Sequence, residues 1–130
     1  MSEKVTLFHW EPNANSGKPM LALAEKGVRF ESHYLDLLNF DQHKPDYLAI
    51  NPNAKVPAIV DGDVTVVDSS AILLYLAEKS RKLLPAKGDN QRAELLSWMF
   101  SISSGLGPYS GQSVHFRNYA PDKIEYAINR

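Results

Sequence analysis

Residues 51–79, NPNAKVPAIVDGDVTVVDSSAILLYLAEK, contain the signals that decide the fold. Two short apolar stretches within 57–67 are separated by a turn centred on Gly62, a pattern typical of a β-hairpin. An acidic residue and two serines at 68–70 come directly before residues 71–79, whose apolar side chains recur at helical spacing. The stretch therefore predicts a hairpin that is followed at once by a capped helix.

The upstream residues predict a second supersecondary unit. Val5–His9 is a short apolar stretch typical of a buried strand, and a loop rich in Asn follows it. Residues 16–26 have helical spacing, and residues 29–35 alternate between apolar and polar side chains, as a half-buried strand does. This order predicts a βαβ unit with a right-handed crossover. With a short irregular helix expected at 40–50, interrupted by Pro45, the first part of the chain predicts a compact α/β fold.

The helix expected at 16–26 has typical cap residues at both ends. Asn15 or Ser16 is the expected N-cap, and Pro19 fits the first turn, where a missing N–H does no harm. Gly27 stands at the C′ position, which favours glycine. The helix entrance is therefore rich in amide and hydroxyl groups and has no thiol.

The composition excludes several classes of function. The 130 residues include 14 basic and 15 acidic side chains, so the net charge of -1 gives no electrostatic reason to expect nucleic acid or a membrane as a partner. The absence of cysteine excludes disulfides, Cys-ligated zinc and a nucleophilic Cys, and any thiol chemistry must use a thiol from outside. The four histidines have no metal-ligand spacing. Without a signal peptide or an apolar run of about 18 residues, the expected location is the cytoplasm.

The last third of the chain predicts helices. A linker at 81–89 precedes a helical region at 90–104, and a glycine-rich, irregular segment is expected at 105–116. A further helix is expected to open near Pro121 and to run only about two turns, so we expect the chain to be part of something longer. The aromatic residues expected to build the helical core are Trp98, Phe100, Tyr109 and Phe116.

These residues resemble a known family. Residues 51–79, together with NANSGKP and ALAEKGV within 13–28, look like the N-terminal domain of cytosolic glutathione transferases, a thioredoxin-like fold. Residues 105–130 are similar to the bacterial Nu class, which includes glutathione-dependent disulfide reductases, and the first part also resembles bacterial β-etherases. The resemblance implies a thioredoxin-like glutathione-binding domain at 1–82 and the incomplete start of an all-helical C-terminal domain at 83–130. It also implies a homodimer.

The resemblance implies a glutathione site at two places. A cis peptide is expected at Val56-Pro57, turning the Val56 N–H and C=O toward the extended cysteinyl unit as a neighbouring strand would. Ser69, at a helix N-terminus, is expected to hold the γ-glutamyl carboxylate, with Asp68 on its ammonium group and Lys55 on the glycyl carboxylate. The alternatives are a plain turn before a strand and a simple N-cap, and the cap can coexist with binding.

The resemblance also implies which residues face the sulfur. Asn15 stands where beta-class enzymes have Cys and Nu-class enzymes have Asn, Asn13 takes the place of a Nu-class Thr, and Ser16 is adjacent. An amide NH₂ that donates to sulfur favours the thiolate and lowers the thiol pKa. Alternatively, these residues only form a loop and a cap. Tyr109 and Gln112 are expected to line the pocket of the second substrate, unless they belong to the helical core.

The resulting hypothesis is a glutathione-dependent enzyme. It would activate the thiol of bound glutathione for thiol–disulfide exchange, or for attack on an electrophilic or ether-bearing small molecule. The co-substrate would be a small hydrophobic compound or a disulfide. The alternative is a non-catalytic glutathione-binding regulatory protein on the same fold, because a fold does not fix a function.

Overall fold

The computed structural model describes residues 4–130, and the chain separates into two compact units between Leu84 and Pro85. The first unit combines a four-stranded sheet with helices, and the second is helical. This architecture confirms the predicted thioredoxin-like α/β fold followed by helices.

The first unit is built on a mixed sheet with the strand order β2-β1-β3-β4. The central strand β1, Val5–His9, pairs in parallel with β2, Phe30–Tyr34. On its other side it pairs antiparallel with β3, Ala58–Asp61, which forms the hairpin with β4, Val64–Val67. The parallel pairing of β1 and β2 around a helix and the hairpin of β3 and β4 are both as predicted.

Local sequence signals set the ends of the helices. Helix α1, Gly17–Lys26, ends at Gly27, whose φ of 67° is the left-handed conformation that favours glycine. Helix α2 is a short turn at Pro45–Leu48. Helix α3, Ser69–Ser80, begins at Asp68, whose carboxylate accepts hydrogen bonds from the next turn.

Both faces of the sheet are covered at its central strands, β1 and β3, because alternate residues of a strand point to opposite sides. One face packs against α1 and α3, and the other packs against α2. The first cluster of buried side chains consists of Val5, Leu7, Ala22, Leu23, Ile59, Ile72 and Leu76. The second consists of Phe8, Leu35, Tyr47 and Ala58. Each large apolar side chain buried here contributes about 1.5–3 kcal/mol.

Two expectations for the first unit were wrong in detail. The side chains of β2 are exposed apart from a partly buried Phe30, because β2 is an edge strand with β1 as its only described neighbour. Residues 40–50 are not one interrupted helix. Two 3-10 turns, Leu37–Asn39 and Asp41–His43, precede α2. Pro45 begins α2 instead of breaking it, since proline fits the first helical position.

The second unit is more regular than the sequence predicts. Helix α4, Asn90–Ser101, passes through a π-helical turn, Ile102–Leu106, into α5, Gly107–Val114. The irregular segment expected at 105–116 is therefore helical. The wide π turn ends two residues before Pro108, where a regular helix would need the missing N–H and would clash with the proline ring.

The end of the second unit also differs from the prediction. A second π turn, His115–Tyr119, stops at Ala120, which is extended with a ψ of 135°. The residue before a proline avoids the helical conformation, so Pro121 ends this helix instead of opening the next one. Helix α6 spans only Glu125–Asn129.

The expected aromatic core of the second unit is not buried. Trp98 is 66% exposed, Phe100 59% and Tyr109 55%, while Phe116 is half-buried. The reason is that no described residue of α4 or α5 is fully covered by another element. These side chains lie on a helical surface of the described chain.

Candidate functional site

The sheet register brings three loops to one edge of the first unit. Phe8, near the end of β1, pairs with Ala58 at the start of β3, and Ala58 pairs with Val67 at the end of β4. The loop after β1, the Val56-Pro57 segment and the start of α3 therefore all leave the sheet at the same edge. This placement assembles the residues expected to bind glutathione in the first unit.

The segment before β3 offers an unpaired strand edge. The Val56-Pro57 peptide bond is cis, which confirms the expectation. Val56 is half-buried, and neither its N–H nor its C=O is hydrogen-bonded to any other described residue. An unpaired backbone segment of this kind can pair with an extended peptide. Lys55, next to it, is exposed.

Two residues that the sequence analysis missed hold this segment in place. The Tyr47 hydroxyl donates to the Lys55 carbonyl oxygen at 2.5 Å, and the Asn51 side-chain amide donates to the same oxygen at 2.8 Å. Both residues are buried. Burial raises the pKa of the Tyr47 hydroxyl, so it remains a proton donor. No local signal marks Tyr47, whereas the Asn-Pro-Asn sequence that begins at Asn51 indicates a turn.

The start of α3 combines a cap with an open anion-binding position. One carboxylate oxygen of Asp68 accepts the Ser70 N–H at 2.8 Å and the Ala71 N–H at 3.2 Å, which confirms the predicted cap. Ser69 is the first residue of the helix, and none of the described residues accepts its N–H. A helix N-terminus with a free N–H is suited to a carboxylate.

Asp68 adopts a conformation that is unusual for its residue type. Its φ is 75° and its ψ is 131°, and a positive φ favours glycine. Such backbone strain persists only where the surroundings enforce it, and it is concentrated at binding sites. Asp68 is exposed, and both cap hydrogen bonds go to the same carboxylate oxygen, Oδ1.

The three candidate residues in the β1–α1 loop, residues 10–16, differ in exposure and in hydrogen bonding. Ser16 occupies the N-cap position but does not cap, because its own φ and ψ are helical and its hydroxyl accepts the Trp10 N–H at 3.0 Å. The expected N-cap position is therefore confirmed at Ser16, but its side chain makes no capping hydrogen bond, and Ser16 is only 1% exposed. Asn15 is exposed, and its carbonyl oxygen accepts from the Lys18 ammonium at 2.9 Å. Asn13 is exposed in the same loop.

A close main-chain contact fixes the path of this loop. A Cβ atom added to Gly17 would lie 2.0 Å from the carbonyl oxygen of Pro12. Real side chains do not approach so closely, so only glycine allows the loop to fold back onto the start of α1.

Side chains of β2 tie down the beginning of the loop. The Tyr34 hydroxyl donates to the Glu11 carboxylate at 2.9 Å. Buried His9 contacts the Trp10 carbonyl oxygen at 2.8 Å through Nδ1 and the Ser32 hydroxyl at 2.6 Å through Nε2. A carbonyl can only accept, so Nδ1 carries a proton, and in the neutral imidazole Nε2 accepts from Ser32. His9 is thus a structural residue, and the role of Ser32 and Tyr34 was not predicted.

The second unit brings Tyr109 and Gln112 together. Both line a cavity of about 580 Å³ whose wall also includes Phe116, Arg117 and Tyr126. The wall mixes aromatic rings with polar groups, which suits a small organic molecule. The cavity lies wholly within the second unit.

Within residues 4–130, no three His, Asp or Glu side chains are grouped so that they could hold a metal ion. None of the helices described there combines the length and the apolar character needed to cross a bilayer.

The fold and the site agree with a sequence match to one family. Residues 3–78 match the family "Glutathione S-transferase, N-terminal domain", and the chain belongs to this family. Over 130 residues it is 40% identical to the disulfide-bond oxidoreductase YfcG of Escherichia coli K12, covering 95% of this chain and 60% of that protein. The chain thus spans less than two thirds of the length of this relative.

Solved structures of relatives have the same fold. A glutathione transferase family member from Pseudomonas fluorescens, crystallised with two glutathione molecules bound, is 32% identical with a TM-score of 0.91, covering 100% of this chain and 60% of that one. The nitrogen regulation fragment of the yeast prion protein Ure2p is 33% identical with a TM-score of 0.88, covering 100% and 61%. The solved structures similar to this chain therefore include a glutathione-bound transferase family member and a nitrogen regulation fragment.

Proposed function

We propose that this protein binds glutathione at the sheet edge of its first unit and activates the glutathione thiol. The observation that carries this proposal is the convergence of the unpaired Val56 backbone and the open N-terminus of α3 at that edge. The Val56 backbone suits the cysteinyl unit of an extended tripeptide, and the N-terminus of α3 suits its γ-glutamyl carboxylate. The relative from Pseudomonas fluorescens binds glutathione, which supports the same ligand here.

Each proposed binding residue has a distinct role. Val56 pairs with the cysteinyl backbone, and the cis bond to Pro57 sets the direction of that edge. The Ser69 N–H and hydroxyl hold the γ-glutamyl carboxylate, and the free oxygen of Asp68 takes the ammonium group. Lys55 is placed one residue before Val56 and pairs with the glycyl carboxylate.

The β1–α1 loop supplies the groups for thiol activation. Asn15 donates an amide N–H to the sulfur, which stabilises the thiolate and lowers the thiol pKa. Asn13 and Ser16 are the other candidates. The Ser16 hydroxyl accepts from Trp10 and still has its own proton to donate, but its burial makes it the less accessible of the three.

The proposed reaction is thiol–disulfide exchange or a transfer of glutathione. In exchange, the thiolate attacks one sulfur of a disulfide, a new S–S bond forms, and the other sulfur leaves as a thiolate. In transfer, the thiolate attacks an electrophilic carbon and its leaving group departs. YfcG is named a disulfide-bond oxidoreductase, which favours the first. Tyr109 and Gln112 are proposed to contact the small hydrophobic or disulfide co-substrate.

A regulatory protein that binds glutathione without catalysis is the second candidate. Two observations favour it: the β1–α1 loop has neither Cys nor Tyr, and the chain resembles a nitrogen regulation fragment. A steady-state assay with glutathione and hydroxyethyl disulfide separates the two candidates. Turnover above the uncatalysed rate supports the enzyme, whereas calorimetric binding of glutathione without turnover supports the regulator.

We also propose a cytoplasmic homodimer, as in the family. The apolar side chains on α4, including Leu95 and the exposed Trp98, would contribute to such an interface. Sedimentation at low micromolar concentration tests this, and a monomer at that concentration would contradict it.

A further inference from the structure

Lys18 makes two hydrogen bonds to Asn15. Its backbone N–H donates to the Asn15 main-chain carbonyl oxygen at 3.4 Å, and its ammonium donates to the side-chain oxygen at 2.9 Å. An ammonium group can only donate, so the atom that faces Lys18 must be the amide oxygen of Asn15. The NH₂ group of Asn15 is thereby turned away from Lys18, and no acceptor within residues 4–130 engages it.

The charge of Lys18 is placed where a helix alone would not favour it. Lys18 lies in the first turn of α1, which contains no acidic residue. A cation near a helix N-terminus is unfavourable to the helix dipole by roughly 0.3–1 kcal/mol. Among residues 4–130, Lys18 forms no ion pair. The acidic residue of the same loop, Glu11, is bound by the Tyr34 hydroxyl.

The hydrogen bond from Lys18 to the Asn15 side chain and the unpaired charge of Lys18 in the first turn of α1 have one explanation if an anion binds beside this helix entrance. We propose that Lys18 is a positioning residue: it holds the Asn15 amide with its NH₂ toward the bound sulfur and adds positive charge at the entrance of α1. This inference rests on the proposed function, since the anion is the thiolate of bound glutathione. Lys18 acts through Asn15 and through its charge, and it need not touch the sulfur.

The neutral variants Lys18→Met and Lys18→Gln and the charge-retaining variant Lys18→Arg test this inference. The ultraviolet absorbance of the thiolate, titrated against pH with glutathione bound, reports the ionisation of the sulfur directly. We expect both neutral variants to raise the midpoint by about one pH unit, and we expect Lys18→Arg to retain most of the parent value. In an Asn15→Ala background the Lys18→Met shift should be smaller, because the amide to be oriented is absent.

Two controls separate this effect from a change in structure or in net charge. Lys87→Met removes an exposed lysine outside the first unit and should leave the midpoint unchanged. S-methylglutathione has no ionisable thiol, so Lys18→Met should bind it within twofold of the parent.

Three outcomes would count against the inference, and they are distinguishable. If Lys18→Met and Lys18→Gln bind glutathione and titrate as the parent does, Lys18 has no positioning role. If S-methylglutathione binding falls as much as the titration shifts, Lys18 has a structural role instead. If the parent protein itself does not bind glutathione, the proposed function fails, and this inference fails with it.

Discussion

Lys26 and Lys82 each donate to the main chain of the other. The Lys26 ammonium donates to the Lys82 carbonyl oxygen at 2.8 Å, and the Lys82 ammonium donates to the Lys26 carbonyl oxygen at 3.0 Å. Lys26 is the last residue of α1, so Lys82 satisfies one of the carbonyl groups that a helix leaves unpaired. The exchange joins the end of α1 to the segment after α3 through two like charges.

This arrangement predicts a pH dependence of stability at alkaline pH. Burial and the nearby charge of Lys82 lower the pKa of Lys26. The folded protein therefore loses this proton at a lower pH than the unfolded chain does, and the unfolded chain binds more protons in that interval. The free energy of unfolding should rise with pH from the lowered pKa up to about 10.4. The urea midpoint should rise less with pH across this range in Lys26→Met than in the parent. An equal rise in both proteins would contradict the prediction.

A second pH dependence of stability is expected at Asp61, beside the turn of the hairpin. Buried Asp61 accepts from the Tyr75 hydroxyl at 2.7 Å and from the Lys79 ammonium. Burial alone would raise the pKa of Asp61, but the hydrogen bonds from Lys79 and Tyr75 outweigh it and lower the pKa. The resulting stability is present above about pH 3.9, the unfolded value, and is lost as the pH falls through the lowered pKa.

The variant Asp61→Asn tests this second dependence. It should lower the free energy of unfolding at neutral pH by about 1–3 kcal/mol, because the charge-assisted hydrogen bonds are lost. It should also reduce the loss of stability in acid. Urea unfolding at neutral and acidic pH measures both effects, and an unchanged acid dependence would show that another carboxylate is responsible.

Gly17→Ala is expected to displace the β1–α1 loop. Its Cβ would lie 2.0 Å from a main-chain oxygen, which cannot move without the loop. We expect a loss of at least tenfold in glutathione affinity by calorimetry, equivalent to about 1.4 kcal/mol. Gly111→Ala is the matched control, because open space surrounds that helical position. It should stabilise the protein by up to about 1 kcal/mol, and an undisturbed affinity in Gly17→Ala would show that the loop can adjust.

Removing the side chains at the start of α3 should weaken glutathione binding. The double variant Asp68→Ala with Ser69→Ala should lose at least tenfold in affinity, about 1.4 kcal/mol. Asp68→Ala also removes a helix cap, which costs about 1 kcal/mol of stability. Asp89→Ala removes the corresponding cap of α4, where its carboxylate accepts the Gln91 N–H at 2.8 Å. That control should lose stability without losing affinity; equal affinities of parent and double variant would place the γ-glutamyl group elsewhere.

Asn15→Ala should raise the pKa of the bound glutathione thiol. A hydrogen bond to a charged group contributes about 1.5–3 kcal/mol, which corresponds to a shift of roughly one to two pH units. The pH–rate profile should move upward by this amount while glutathione affinity stays nearly constant. Asn13→Ala and Ser16→Ala are the comparisons. If only Ser16→Ala moves the profile, the serine activates the thiol, although we expect that variant mainly to destabilise the loop by about 1 kcal/mol, since Trp10 loses its acceptor.

The parts of the fold with local signals could be predicted from the sequence. The turn at Gly62 and the cap at Asp68 depend on neighbouring residues only, and both were predicted. The role of Tyr47 could not be predicted, because the partner of its hydroxyl is a main-chain carbonyl whose position is fixed by the tertiary fold. The N-cap position of Ser16 was predicted, but the role of its hydroxyl was not, because the path of the β1–α1 loop brings the Trp10 N–H to it.

The second unit shows how composition can mislead. Glycine and proline around Pro108 are usual signals of a loop, and the sequence therefore predicted irregular structure there. A π turn, Ile102–Leu106, admits the proline within a helical run. At Pro121 the same residue type does end the helix, because the preceding Ala120 is extended. Only the conformation of the residues before each proline distinguishes the two cases.

The antiparallel register of β3 also separates the hairpin turn from the loops of the proposed glutathione site. Ala58 starts the strand at the edge shared by the proposed site, and Asp61 ends it at the opposite edge, beside the turn at Gly62 and Asp63. The turn residues are exposed. A fluorescent label, an affinity tag or new chain termini could therefore be introduced between them, so that the protein can be immobilised or tracked while the proposed glutathione site stays unobstructed.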